Sequence, residues 1–186
     1  MHLSISVLLD SDWDVAILSV FGFIVNNFML CYNMFMSYKL VKTKDPKKVP
    51  AVLRKKSKEV KGVTPEVLEL AKAMVQVMKE NKGIGISAIQ VGAPLRIMVI
   101  HDCDQDMVFI NPELTRFSRK EAVYSEGCLS FPDIFREISR PEKVKVRAKN
   151  LSWENVEIEA EGLVARTLEH ELDHLEGVVF LDRVQK

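Results

Sequence analysis

From Val67, apolar residues recur along one helical face, with Leu70, Ala71, Met74, Val75 and Met78 following in turn. Thr64-Pro65 supplies a start, threonine as cap and proline in the first turn, so the pattern predicts a helix running to Asn81. The period then shortens. Arg96–His101 and Met107–Ile110 read as strands either side of an acidic turn, Asp102–Asp106. Val144, Val146 and Ala148 alternate with charges, as do Val156, Ile158 and Ala160, and Lys149–Glu154 between them suits a hairpin turn. Leu168, Leu172 and Leu175 predict a last helix from Leu163 to Leu175 with its core-facing stripe, and Gly177 just beyond is its stop. No internal repeat is present. These elements predict an α+β domain in which the last helix packs against antiparallel sheets.

The beginning of the chain has a different texture. Val15 to Tyr38 holds no charged residue over 24 positions, long enough for a membrane helix of about 20. Asp10, Asp12 and Asp14 precede it; Lys39, Lys42, Lys44, Lys47 and Lys48 follow. By the positive-inside rule, this orientation would leave the downstream domain in the cytoplasm. No positive charge precedes the run, which argues against a cleaved secretory signal. Asn26, Asn27 and Asn33 interrupt it, each costly in hydrocarbon, and Met36-Ser37-Tyr38-Lys39-Leu40 reads as an ordinary start. Residues 1–36 are therefore expected to be an apolar N-terminal extension, an upstream continuation of the reading frame or a membrane anchor, with 1–35 dispensable for catalysis. Residues 37–186 are expected to form one catalytic domain, large enough for a sizeable core.

Charge narrows the partners. The chain has 26 Lys and Arg against 26 Asp and Glu, but residues 1–36 carry three acids and no cation, leaving the remainder at 26 against 23. That excess is too small to argue for nucleic-acid binding, although a weakly basic surface suits proximity to the ribosome. Three cysteines, one of them wanted as a thiolate ligand, point to a reducing compartment rather than a disulfide scaffold.

The candidate chemistry lies in two short motifs, Glu126-Gly127-Cys128-Leu129-Ser130 and His170-Glu171-Leu172-Asp173-His174. On a helix, His170 and His174 project from one face a turn apart and can share a cation. Glu171 beside them is free to act as a base on a water that the cation polarises. Such a centre needs a third ligand. The long metalloprotease motif would place a histidine at position 180, where this chain has Phe180. A thermolysin-like carboxylate would come from a later helix, and 12 residues after His174 leave no room for one, so the ligand is expected upstream. Cys31 falls in an apolar stretch and Cys103 among acids; Cys128, flanked by small residues, is the best candidate.

A third motif, Gly83 to Gly92, reads GIGISAIQVG and matches no phosphate cradle. Its glycines suit close approach of the backbone to a ligand, with room for an extended peptide to pair alongside, and Gln90 could donate to an oxyanion. Taken by itself, the segment reads more readily as a tight helix-to-strand turn with a surface glutamine.

Together, Gly83–Gln90, Glu126–Ser130 and His170–His174 give the chain a resemblance to the peptide deformylases, whose three motifs, GφGφxAxQ, EGCφS and HExxH, occur in this order. The resemblance runs from about Val49 to Asp182 and includes Val52-Leu53-Arg54-Lys55 and Ile110-Asn111-Pro112-Glu113-Leu114. Two positions depart from it: Ser87 stands where alanine is commoner and Glu169 where glutamine is usual. The resemblance implies antiparallel sheets packed around a central HExxH helix and a hydrolase that removes the formyl group from the N-terminal methionine of new polypeptides. It implies one divalent metal on Cys128, His170 and His174, iron(II) first, with zinc, nickel or cobalt also suited to the donor set. Glu171 would be the base, with Gln90 and the backbone N–H of Leu129 meeting the oxyanion. Ile84, Gly85, Leu163, Arg166 and Thr167 would contact the substrate, and Glu126 and Arg140 would form a supporting ion pair.

Overall fold

The computed structural model describes Tyr38 to Val184; the expected extension, with all of its apolar run but Tyr38, lies outside the described residues. Helix α1 spans Pro65–Glu80, with the Thr64 hydroxyl accepting from the Val67 N–H as its cap, and it stops at Asn81 as the sequence predicts. Helix α2 spans Gly162–Leu175. Among the described residues seven strands accompany them: β1 (Gly85–Ser87), β2 (Ile97–Asp102), β3 (Gln105–Phe117), β4 (Glu121–Cys128), β5 (Phe131–Pro141), β6 (Lys143–Lys149) and β7 (Asn155–Glu161). One antiparallel sheet runs β1-β2-β3-β6-β7, and β4-β5 form a separate hairpin. The α+β expectation holds.

The acidic turn closes to two residues. Cys103 and Asp104 both adopt positive φ, 45° and 64°, which matches the twist of a tight hairpin and lets Asp102 pair with Gln105. Strand β3 runs seven residues past the predicted Ile110, because Asn111-Pro112 makes an irregularity in the ladder rather than a break. Asn111 takes φ 51°, and its side-chain amide bonds both the N–H and the carbonyl of Val60.

Helix α2 is the centre of the domain. Leu168, Leu172 and Leu175 face Met98, Ile100, Phe109, Val144 and Val146 on the sheet, while α1 packs Leu70, Met74 and Met78 near Ile86, Ile97 and Val99. A third apolar group, Leu53, Ile89, Phe131, Ile138, Val179 and Phe180, lies beside the β4–β5 hairpin. Every residue from Ala165 to Leu175 is buried, so the polar face of α2 is enclosed as fully as its leucine stripe. Burying seven polar side chains is costly unless they find partners. Most of them do, and those partners build the site, while Glu169 Oε2 and His174 Nδ1 find none among the described residues.

Candidate metal centre

His170 and His174 stand one turn apart on α2, their ring centroids 5.0 Å apart. Cys128, at the end of β4, brings its Sγ to 3.2 Å from His174 Nε2. One donor atom from each of the three residues lies within 4.8 Å of the others. Ligands sharing one tetrahedral ion stand roughly 3.5 Å apart, so this set fits a single ion with little adjustment. The chemistry of the donors agrees. His170 directs Nδ1 at the Glu126 carboxylate, 3.2 Å away, which leaves Nε2 for an ion. Burial, with the nearby charges of His170 and Arg140, pushes His174 well below the ordinary imidazole value and keeps it neutral, the form that ligates. At His170 burial is outweighed by hydrogen bonds to Cys128 and Glu126, which push it up to about 10, so it carries a proton that a bound ion would displace.

Behind the donors, Glu126 accepts from Arg140 Nε at 2.7 Å and from Arg140 Nη2 at 3.1 Å, a bidentate pair with both side chains buried. Burial alone would push this carboxyl up; hydrogen bonds from His170 and Arg140, with their charges, outweigh it and hold the group at about 2. Arg140 continues to Asp173, which Arg183 also grips. Arg166, expected at the substrate, lines the cleft but commits its guanidinium to Glu126 and to the carbonyls of Ala122 and Ile138.

Glu171 is 3% exposed, and burial raises its carboxyl, opposed by the His170 charge and a hydrogen bond from Ser87. Gln90 is buried, so the surface-glutamine reading of its segment fails. Its Oε1 accepts from the Ser87 N–H at 2.7 Å, which turns Nε2 toward Ser130 Oγ (3.3 Å) and Cys128 Sγ (3.6 Å). A cleft of about 460 Å³ opens over Cys128, His170 and Glu171, bordered by Ile84, Gly85, Leu129, Phe135, Leu163 and Thr167. Strand β1 stands at the edge of its sheet beside it. A larger hollow of about 540 Å³, over Phe117, Lys143 and Lys145, contains none of the site residues. Glu169 faces away from the cleft, toward a separate hollow shared with Arg140, Leu172 and Asp173.

The family model described as Polypeptide deformylase matches residues 37–186. The chain belongs to the polypeptide deformylase family. A peptide deformylase of Mesorhizobium japonicum is 44% identical over 140 residues, covering 73% of this chain and 80% of the relative. Among solved structures, the peptide deformylase of Thermotoga maritima aligns with TM-score 0.73 at 38% identity, covering 80% of this chain and 98% of that one. That of Synechococcus elongatus, in complex with actinonin, aligns with TM-score 0.74 at 36% identity, over 80% and 79% of the two chains.

Within this deformylase scaffold, three residues have roles that the sequence does not announce: Asp173, Arg183 and Ser87, the last visible there only as a departure from alanine. Asp173 lies inside the HExxH motif, where its charge reads as a solvated helix position. Only its separation from Arg140 in the fold, 2.9 Å across 33 residues of chain, assigns it to the network.

Proposed function

We propose that the chain hydrolyses the N-formyl group from the methionine of newly made polypeptides with Cys128, His170 and His174 holding one divalent ion and Glu171 as base. The convergence of those three donors beside a buried carboxylate, at the head of a cleft along an edge strand, carries this reading. When bound, the ion supplies Lewis acidity toward the formyl oxygen and the attacking water. The donor set is borderline soft and suits iron(II), zinc, nickel or cobalt, and the family resemblance favours iron(II).

The protein groups divide the remaining work. Glu171 takes a proton from the attacking water and delivers it to the departing amine, so that formate and a free N-terminus result. Gln90 Nε2 and the Leu129 N–H meet the negative charge that develops on the formyl oxygen. Glu126, locked by Arg140 and Arg166, holds His170 in the tautomer that frees Nε2. A formyl group offers little to grip, so affinity comes from the methionine side chain and the peptide beyond it. Ile84, Leu163 and Thr167 give the cleft apolar walls, and Gly85 lets an extended peptide approach along β1.

Formate release from a formyl-Met peptide, measured beside cleavage of an internal peptide bond in the same substrate, tests the reading. Formate without internal cleavage is expected. Internal cleavage would make the chain a peptidase, and binding without either product would make it a formyl-peptide receptor.

A further inference from the structure

Ser87 has no exposed surface, and its hydroxyl donates to Glu171 Oε2 at 2.7 Å across 84 residues of chain. The Glu171 carbonyl oxygen lies at 2.9 Å. The carboxylate is the nearer and the charged acceptor, so the single hydroxyl proton goes to it. The other carboxylate oxygen has a different neighbour. Oε1 stands against the open side of Gly85, where a Cβ would come within 2.8 Å of it. One oxygen is clamped and the other left on the glycine side.

We propose that Ser87 is a positioning residue that fixes the carboxyl plane of Glu171, a deepening that rests on Glu171 being the base. The last torsion of a glutamate side chain is broad and roughly two-fold, so burial alone does not set where its oxygens point. The hydroxyl of Ser87 removes that freedom at Oε2 and leaves Oε1 as the oxygen that carries the proton. The same residue uses its backbone N–H to hold Gln90 Oε1. A single residue at the end of β1 thus orients both the base and the side-chain donor to the oxyanion. The backbone link survives any substitution short of proline; the hydroxyl link needs serine's oxygen. Where alanine occupies this position, the carboxylate keeps its burial and loses the clamp.

The test is a double-mutant cycle between Ser87→Ala and Glu171→Gln, each protein loaded with cobalt(II) and assayed for metal content, folding by circular dichroism, and kcat and KM on a formyl-Met-Ala peptide. Alanine adds no atom and cannot clash. Ser87→Ala is expected to keep its metal and its fold, lower kcat about tenfold and leave KM within about twofold. In the Glu171→Gln background the same change should alter the residual rate less than about twofold, because an amide is no base to position. An unchanged kcat in Ser87→Ala would overturn the proposal, as would a tenfold loss persisting in the Glu171→Gln background or a loss of metal or fold. Full activity in Glu171→Gln alone would instead remove the base, and the reading beneath, whatever Ser87 does.

Discussion

Gly85 lies so close to Glu171 that a Cβ on it would stand 2.8 Å from Oε1 and 2.6 Å from Thr167 Cγ2. Atoms do not share that space, so Gly85→Ala must move the carboxylate, the threonine or strand β1. The expected result is a loss of kcat of at least about tenfold with the metal retained, and a stability cost of about 1–3 kcal/mol from overpacking. Urea unfolding and a formate-release assay at matched metal content check it. Wild-type kcat would mean that β1 yields without disturbing Glu171.

Replacing Glu171 with Gln keeps size and helix propensity and removes the base. Turnover should fall by two decades or more, in line with the ~10²–10⁴ typical of general acid–base catalysis, while metal stays bound. Near-normal activity of the metal-loaded variant would assign the proton transfer elsewhere.

Cys128→Ala should cost metal affinity and activity together, and Cys103→Ala, an exposed thiol in the β2–β3 turn, should cost neither. In cobalt-substituted protein, a thiolate charge-transfer band should be present only with Cys128. Removal of the ion by a chelator should abolish formate release, and readdition should restore it. A band surviving in Cys128→Ala would locate the thiolate ligand at another cysteine.

Much of this site was legible because its spacing is local. His170 and His174 need only a helix to converge, and Thr64-Pro65 marks a helix start whatever surrounds it. The β4–β5 hairpin was not legible. Its buried positions mix Phe131 and Ile138 with Glu126 and Arg140, while Val123, Tyr124 and Phe135 lie exposed, so the polar-out alternation that betrays a half-buried strand is broken. Strand β3 is longer than its apolar run, because Asn111-Pro112 looks like a terminator until Asn111 is seen bonded to Val60. Ser87 passed as a small residue in a glycine-rich segment, since nothing local tells a serine which carboxylate it will meet.

Glu169 provides a pH signature. Burial pushes its carboxyl up to about 7 from 4.5, with Arg140 pulling it down and Asp173 pushing it up, and its Oε2 has no hydrogen-bond partner among the described residues. Below about pH 4.5 the carboxyl is protonated in both the folded and unfolded chains. Between about 4.5 and 7 the unfolded chain releases its proton first, so the native state loses stability as pH rises, and above about 7 the loss is complete. Glu169→Gln removes this dependence. The variant should gain on wild type from pH 5 to pH 8, by no more than about 3 kcal/mol, as read by urea unfolding at both values. A constant difference across that range would mean that the carboxyl titrates normally.

The family model begins its match at residue 37, and the described fold begins its first hydrogen bonds to the site just after. The Val41 N–H donates to the Gln90 carbonyl, and the Thr43 N–H to that of Ser130. Chain from Val41 onward therefore supports the loops that hold Gln90 and Cys128, and truncation beyond it would disturb them. Upstream, residues 1–35 bring no charged or metal-ligating group that the proposed chemistry uses. We infer that the fragment Met36–Lys186 folds, binds metal and releases formate with kcat and KM within about twofold of the full chain. A matching fragment starting at Thr43 should lose the Val41 link and with it stability of about 0.5–1.5 kcal/mol or more. Failure of the Met36 fragment to fold or to deformylate would make the apolar segment part of the catalytic domain.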